Sequence, residues 1–341
     1  MHLVTGGAGY FGSLLVDRLH RMGEQVRVLD ISEDHDLPDD VEVVHADIRD
    51  QSAVKKACQG ISRVHHNVAL VPLAKDRSAF WAVNRDGTRH LLQAAIDAGV
   101  EKVLYTSSSA VYGVPESNPV DEAQVPVPRE DYGRAKLAAE ALCWEFAGHG
   151  LDVTVIRPRT IMGLGRLGII QILFEWIRQG RNIPVFNNGG NVYQFVHADD
   201  LADACIKAAA SPGQAVYNVG AESYGTMRET LQGVVDHAET GSKIVSVPMS
   251  PAVALMKVTS ALGLSPLGPY HSLMYGRSMY FDITKAKDEL EWAPEFSNVE
   301  MFCQSYDWYV TNREEVFRRR GASQHRSPVK QGILRLVSWL L

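Results

Sequence analysis

Apolar residues return along this chain in two alternating rhythms, short unbroken runs and longer stretches spaced every three or four residues. Met1 to Thr5 is an unbroken run; Leu14, Leu15, Leu19 and Met22 then follow helical spacing, with Gly23 as a stop. A β-branched run from Gln25 to Leu29 ends on Asp30. Further strands are predicted at Val41–Ala46, Arg63–Val68, Lys102–Thr106 and Val153–Ile156, the last broken by Pro158. Helices are predicted between them: Ser52–Gln59, one long helix over Phe80–Ala98, and one from Asp131 to around Gly148. Strands and helices in alternation predict an α/β fold built on a doubly wound parallel sheet.

Beyond Pro158 the rhythm loosens. Helices are predicted at Ile169–Gln179, Asp199–Ala210 and Thr226–Thr240, strands at Tyr193–Val196 and Val216–Val219, and a turn at Asn187–Asn191. Loops rich in proline and glycine mix with helices to about Tyr309. The expected division is a first domain over 1–165 with 192–220 returning to it. A smaller, interleaved C-terminal substrate lobe takes 166–191 and 221–317, and a tail takes 318–341.

Composition changes this picture little. A hydrophobic share of 45%, a charged share of 22% and a net charge of −6 describe an ordinary globular chain with no reason to bind nucleic acid. The four cysteines, Cys58, Cys143, Cys205 and Cys303, are scattered without a C-x-x-C pair, so free thiols and no metal are expected. No signal peptide and no apolar run of the ~20 residues a membrane-spanning helix needs is apparent, which suggests a cytoplasmic protein.

Three groups of residues carry candidate chemistry. Gly6, Gly9 and Gly12 lie between the first strand and the first helix, the arrangement that brings a pyrophosphate onto a helix N-terminus. Asp30, at the end of the second strand, can accept both ribose hydroxyls of an adenosine and would repel a 2′-phosphate, so the expected cofactor is NAD. Tyr132 and Lys136 stand four residues apart on one helix face, where an ammonium would favour the phenolate. Ser107, Ser108 and Ser109 follow the fifth strand, at the sheet edge where open α/β sheets place ligands.

These strings resemble the extended short-chain dehydrogenase/reductases, which have a Rossmann-type sheet and include nucleotide-sugar epimerases and 3β-hydroxysteroid dehydrogenase-like enzymes. The matching segments are TGGAGYFG, Ala46–Ile48, Val83–Thr88, TSSSAVYG at Thr106–Gly113, YGRAK at Tyr132–Lys136, Ile156–Pro158 and Phe195–Ala204. The resemblance implies Tyr132 as acid/base, Lys136 as its partner and Ser108 as the catalytic hydroxyl. It implies cofactor contacts at Tyr10, Phe11, Asp47, Ile48, Val68, Ala69, Leu70, Asn84, Ser107 and Pro158, besides the glycines and Asp30. A homodimer through Phe80–Ala98 and Asp131–Gly148 is implied as well.

Within that group, the acid pair that serves water elimination is replaced by Ser109 and Ala110, which leaves hydride and proton exchange at a secondary alcohol. A nucleotide-sugar 4-epimerase is therefore the leading expectation, with a 3β-hydroxysteroid-type dehydrogenase as the alternative. Thr160 and Tyr193 stand where an asparagine and an arginine are expected, so substrate contacts are expected from Ser109, Thr160, Tyr193, Arg166 and Arg277, with Arg159 and Arg181 as further cations. The basic and apolar tail, ending GILRLVSWLL, admits peripheral contact with an anionic membrane surface.

Overall fold

The computed structural model describes residues 1–33, 36–70, 77–166, 168–261, 274 and 276–318. The tail over 319–341, and with it the expected membrane contact, lies outside the described residues. Strands are numbered in chain order. β1 (His2–Thr5), β2 (Val26–Asp30), β3 (Glu42–His45), β4 (Arg63–His66), β5 (Lys102–Thr106), β6 (Val153–Pro158) and β11 (Ala215–Val219) form one sheet. Its order is β11-β6-β5-β4-β1-β2-β3, and every neighbouring pair is parallel. The inner strands are covered on both faces, which is why β1, β5 and β6 are buried at every position instead of alternating.

The covering helices divide between the faces. α1 (Tyr10–Arg21) and α7 (Ala198–Ala210) pack together on one side through Leu15, Leu19, Leu201 and Ala204. On the other side lie α2 (Gln51–Ala57), α4 (Gly87–Ala98) and α5 (Asp131–Ala147), with Val54, Leu91, Leu142 and Phe146 in the second core. The chain runs outward in both directions from the boundary of β1 and β4, so the switch-point crevice opens beyond Thr5 and His66.

The smaller sheets pair β7 (Thr160–Met162) with β10 (Phe195–His197), β8 (Ile183–Phe186) with β13 (Ile244–Val247), and β9 (Val192–Tyr193) with β12 (Gly225–Thr226). α6 (Ile170–Arg178), α8 (Met227–Ala238) and a closing helix over Asn298–Arg318 enclose them around Phe174, Phe195 and Phe302.

Three local expectations are corrected. The single helix over 80–98 is α3 (Arg77–Trp81), a π-turn at Ala82–Asp86 and then α4. Pro158 does not break β6; it ends that strand, paired with Val219, where its missing N–H removes little from the ladder. The strand over 193–196 divides into β9 and β10, whose partners lie in different small sheets.

Candidate active site

The glycine loop is shaped by what its neighbours exclude. Gly6 has φ +72°, and a Cβ there would lie 3.1 Å from the Val68 nitrogen, so the loop lies directly on the segment after β4. A Cβ on Gly12 would come within 2.0 Å of the Gly6 carbonyl oxygen, so only glycine lets α1 begin this close to β1. Gly9 is the N-cap of α1 and supplies no side-chain acceptor, leaving first-turn amides without a side-chain cap. Asp30 accepts from the Ala8 amide at 3.0 Å and from the Ser32 amide at 2.9 Å, which ties the end of β2 to the glycine loop and leaves its other lone pairs for ligand hydroxyls. The buried Asn67 Nδ2, just past β4, has no partner. Bare helix amides, a carboxylate at the second strand end and an unsatisfied donor fit a dinucleotide.

The flanking residues are held in different ways. Asn84, carried on the π-turn, accepts from the Leu70 amide at 2.8 Å and donates to its carbonyl at 3.0 Å, fixing the segment that includes Val68 and Ala69. Ile48 is buried under Gly87, where a Cβ would meet its Cγ2 at 2.7 Å. Asp47 grips Arg49 through Nε at 2.9 Å and Nη2 at 2.6 Å, and that bond holds its carboxyl below the usual range. Tyr10 and Phe11 are buried in the first turn of α1.

At the end of β5 the serines take separate roles. Ser107 donates to Glu140 at 2.5 Å. Ser108 is the N-cap of a short 3₁₀ turn over Ser109–Tyr112, and its Oγ accepts from the Ala110 amide at 3.2 Å. Ser109 is buried in that turn. α5 begins with Glu130 as its cap, accepting from the Tyr132 and Gly133 amides at 2.8 and 2.6 Å. Gly133 permits the approach, because a Cβ there would sit 2.4 Å from the Ala110 carbonyl. The result is that the Ser108 hydroxyl acts on the Tyr132 phenol.

Burial pushes the Tyr132 phenol up to about 12, while the Ser108 hydroxyl and the positive charge of Arg166 act to lower it. Here the structure corrects an expectation. Among the described residues the Lys136 ammonium makes no hydrogen bond to the phenol; it donates to the Thr106 carbonyl at 2.7 Å and lies 4.7 Å from the Tyr105 ring centroid. Burial pulls Lys136 down to about 7. A cation that acts on Tyr132 is Arg166, from the loop after β7. Its Nε donates to the Ile161 carbonyl at 3.3 Å, and its guanidinium lies 5.6 Å from the Tyr10 ring centroid.

The other expected substrate residues are held by partners of their own. Thr160 and Tyr193 hydrogen-bond each other at 3.0 Å. Arg159 is buried between the rings of Tyr193 and Phe281, 4.5 and 5.4 Å from their centroids, with Nε on the Gln194 carbonyl. Arg277 is exposed, next to β9 through its own carbonyl and Asn191. A separate cavity of about 330 Å³, lined by Tyr10, Leu14, Asp17, Leu164 and Trp308, does not include Ser108 or Tyr132.

The sequence did not point to the support behind the serines. Arg157 pairs with Glu140 inside the fold, Nη2 to Oε2 at 2.6 Å, and Arg157 Nη1 donates to the Tyr112 hydroxyl at 2.7 Å. Three different elements are joined this way, and only the i, i+4 step from Lys136 to Glu140 hints at it.

Residues 2–220 match the NAD dependent epimerase/dehydratase family. Over 99% of its length the chain is 53% identical to the uncharacterized protein y4nG of Sinorhizobium fredii, covering 86% of that protein. It is 29% identical over 86% of its length to the 3β-hydroxysteroid-dehydrogenase/decarboxylase isoform 2 of Arabidopsis thaliana, spanning 59% of that longer relative. The UDP-glucose 4-epimerase of Thermus thermophilus, solved as a complex with NAD, superposes with a TM-score of 0.74 at 26% identity, covering 91% of this chain and 98% of that one. A glycine loop, a serine turn and a tyrosine helix converge on one crevice, and the family match spans all three: the chain belongs to the NAD-dependent epimerase/dehydratase family.

Proposed function

We propose that the protein is an NAD-dependent epimerase that inverts C4 of a nucleotide sugar, a UDP-hexose or UDP-uronic acid, through a transient 4-ketone. The observation that carries this reading is the serine turn packed against the first turn of α5, which sets Ser108 to act on the Tyr132 phenol and is followed by Ser109 and Ala110. Proton exchange at one hydroxyl has its groups there, whereas elimination of water lacks an acid at either following position. The similarity to the Thermus 4-epimerase supports the same choice.

NAD, when bound, supplies a hydride acceptor that can also give the hydride back. Tyr132 takes the proton from the C4 hydroxyl and returns it to the same oxygen after the ketone has turned. Ser108 donates to that oxygen and holds it against the phenol. Arg166 lowers the cost of the phenolate in a half-buried setting where burial alone opposes it. Lys136, fixed on the Thr106 carbonyl, stands at the strand end to hold a ribose hydroxyl. Gly6, Gly9, Gly12 and Asp30 hold the dinucleotide.

A dehydrogenase of the 3β-hydroxysteroid type is the second reading. It is favoured by Thr160 and Tyr193 satisfying each other and by Arg277 lying exposed, which leaves a diphosphate with few anchors. One assay separates the two. The NAD-loaded protein should interconvert the C4 epimers of a UDP-sugar with no net gain of NADH; turnover seen only with stoichiometric NADH from a hydroxysteroid would replace the first reading with the second.

A further inference from the structure

We propose that Arg166 is the receptor for a carboxylate on the carbon adjacent to the one that reacts, so that the substrate is a nucleotide-linked uronic acid rather than a neutral hexose. The proposal rests on the epimerase reading and narrows its substrate class.

Arg166 is a cation brought into the reaction crevice without an anion. Nη1 is buried and has no hydrogen-bond partner, and among the described residues no carboxylate lies within ion-pair distance. The buried guanidinium of Arg157, by contrast, is paired with Glu140. The residue as a whole is half-buried, but leaving the Nη1 donor buried and unfilled is costly. Burial accordingly pulls Arg166 down to about 10. Its remaining contacts orient the group without neutralising it: Nε is fixed on the Ile161 carbonyl, and the Tyr10 ring lies 5.6 Å away.

Position and charge together narrow the ligand group. Arg166 interacts with Tyr10 of the glycine loop and with the Tyr132 phenol, so it lies between the cofactor side and the acid/base group. A sugar whose C4 oxygen reaches Tyr132 and Ser108 brings the substituents of both adjacent carbons, C3 and C5, toward that neighbourhood, and of the two only the C5 substituent can be a carboxylate. In a hexose this is a hydroxymethyl group, which can accept one hydrogen bond but leaves the charge unbalanced. In a uronic acid it is a carboxylate, which matches the guanidinium in charge and in its planar pair of oxygens. The diphosphate is a poor alternative for this cation, since it hangs from C1, across the ring from C4.

The test compares kcat/KM for UDP-glucuronate and UDP-glucose, with C4 epimerisation followed by NMR, in the wild-type protein, R166Q and R166K. Using the ratio between substrates cancels any effect of the variant on the Tyr132 phenol that both share. The wild type should favour the uronate. R166Q should reduce that preference by roughly ten- to a hundredfold, the worth of a hydrogen bond to a charged group, chiefly through KM. R166K should restore part of it. Epimerisation of both sugars with no preference, or with a preference unchanged in R166Q, would overturn the carboxylate assignment and leave the epimerase reading intact. Turnover of neither sugar would instead overturn the epimerase reading, and this proposal with it.

Discussion

At the scale of single residues, charge placement here does not follow sequence spacing. Tyr132 and Lys136 share a helix face, yet the lysine bonds the strand end, and a charge that favours the phenolate comes from Arg166 in the loop after β7. Spacing fixes which face of a helix a side chain leaves; the acceptor it meets depends on the neighbouring element, here the Thr106 carbonyl. A second case lies within the sheet, where His2 Nδ1 and His65 Nε2 share a hydrogen bond at 3.1 Å, and His66 bridges the Thr5 and Thr88 hydroxyls at 2.7 and 2.9 Å. Burial pulls both His65 and His66 down to about 3 from the ordinary 6.5. Above pH 6.5 these rings are neutral in both folded and unfolded chains and contribute no pH dependence. As pH falls from 6.5 toward 3 the unfolded chain binds protons the fold refuses, so stability falls, by about 1.4 kcal/mol per histidine for each pH unit. Urea midpoints at pH 7.5 and 5.5 should differ accordingly, and His65→Gln or His66→Gln should shrink the difference. Equal midpoints in the wild type would contradict it.

At the scale of elements, α5 is the part that assembles the site, and its position rests on contacts in its first turn and at its middle. Gly133 lets its first turn sit against the serine turn, and Glu140 in its middle is shared by Ser107 and Arg157. Glu140→Gln keeps the shape but leaves the Arg157 charge uncompensated in the interior. Breaking a buried pair from one side costs about 3–5 kcal/mol, so the urea-derived stability of E140Q should fall by that order. A loss under about 1 kcal/mol would show that the pair is not what holds α5 to the strand ends. The helix itself was legible from its periodicity; its cap was not, because glutamate is not a preferred N-cap residue. The π-turn at Ala82–Asp86 was equally hidden, since one extra residue in a turn barely disturbs an apolar pattern.

At the scale of the whole molecule, the central sheet was readable because its inner strands β1, β5 and β6 are buried on both faces and so appear as short apolar runs. The pairing of β8 with β13 was not: Pro184 interrupts the first, and the second is exposed or partly so along its length. The cofactor side of the site was legible for the same reason as the sheet, since glycines and strand-end acids sit at fixed offsets from it. The substrate side was not, because Thr160, Tyr193, Arg159 and Arg166 lie on short loops and small sheets whose mutual approach depends on tertiary packing. The proposed epimerisation has one central consequence, that the hydrogen on C4 leaves and returns to the same carbon while only the hydroxyl proton passes through Tyr132. The measurement that reaches this most directly is epimerisation of a UDP-sugar carrying deuterium at C4, run in ordinary water with the NAD-loaded protein. Deuterium retained at C4 in the inverted product, with no accumulation of NADH, is the predicted result; deuterium lost to solvent, or product appearing only as the ketone with matching NADH, would contradict the account.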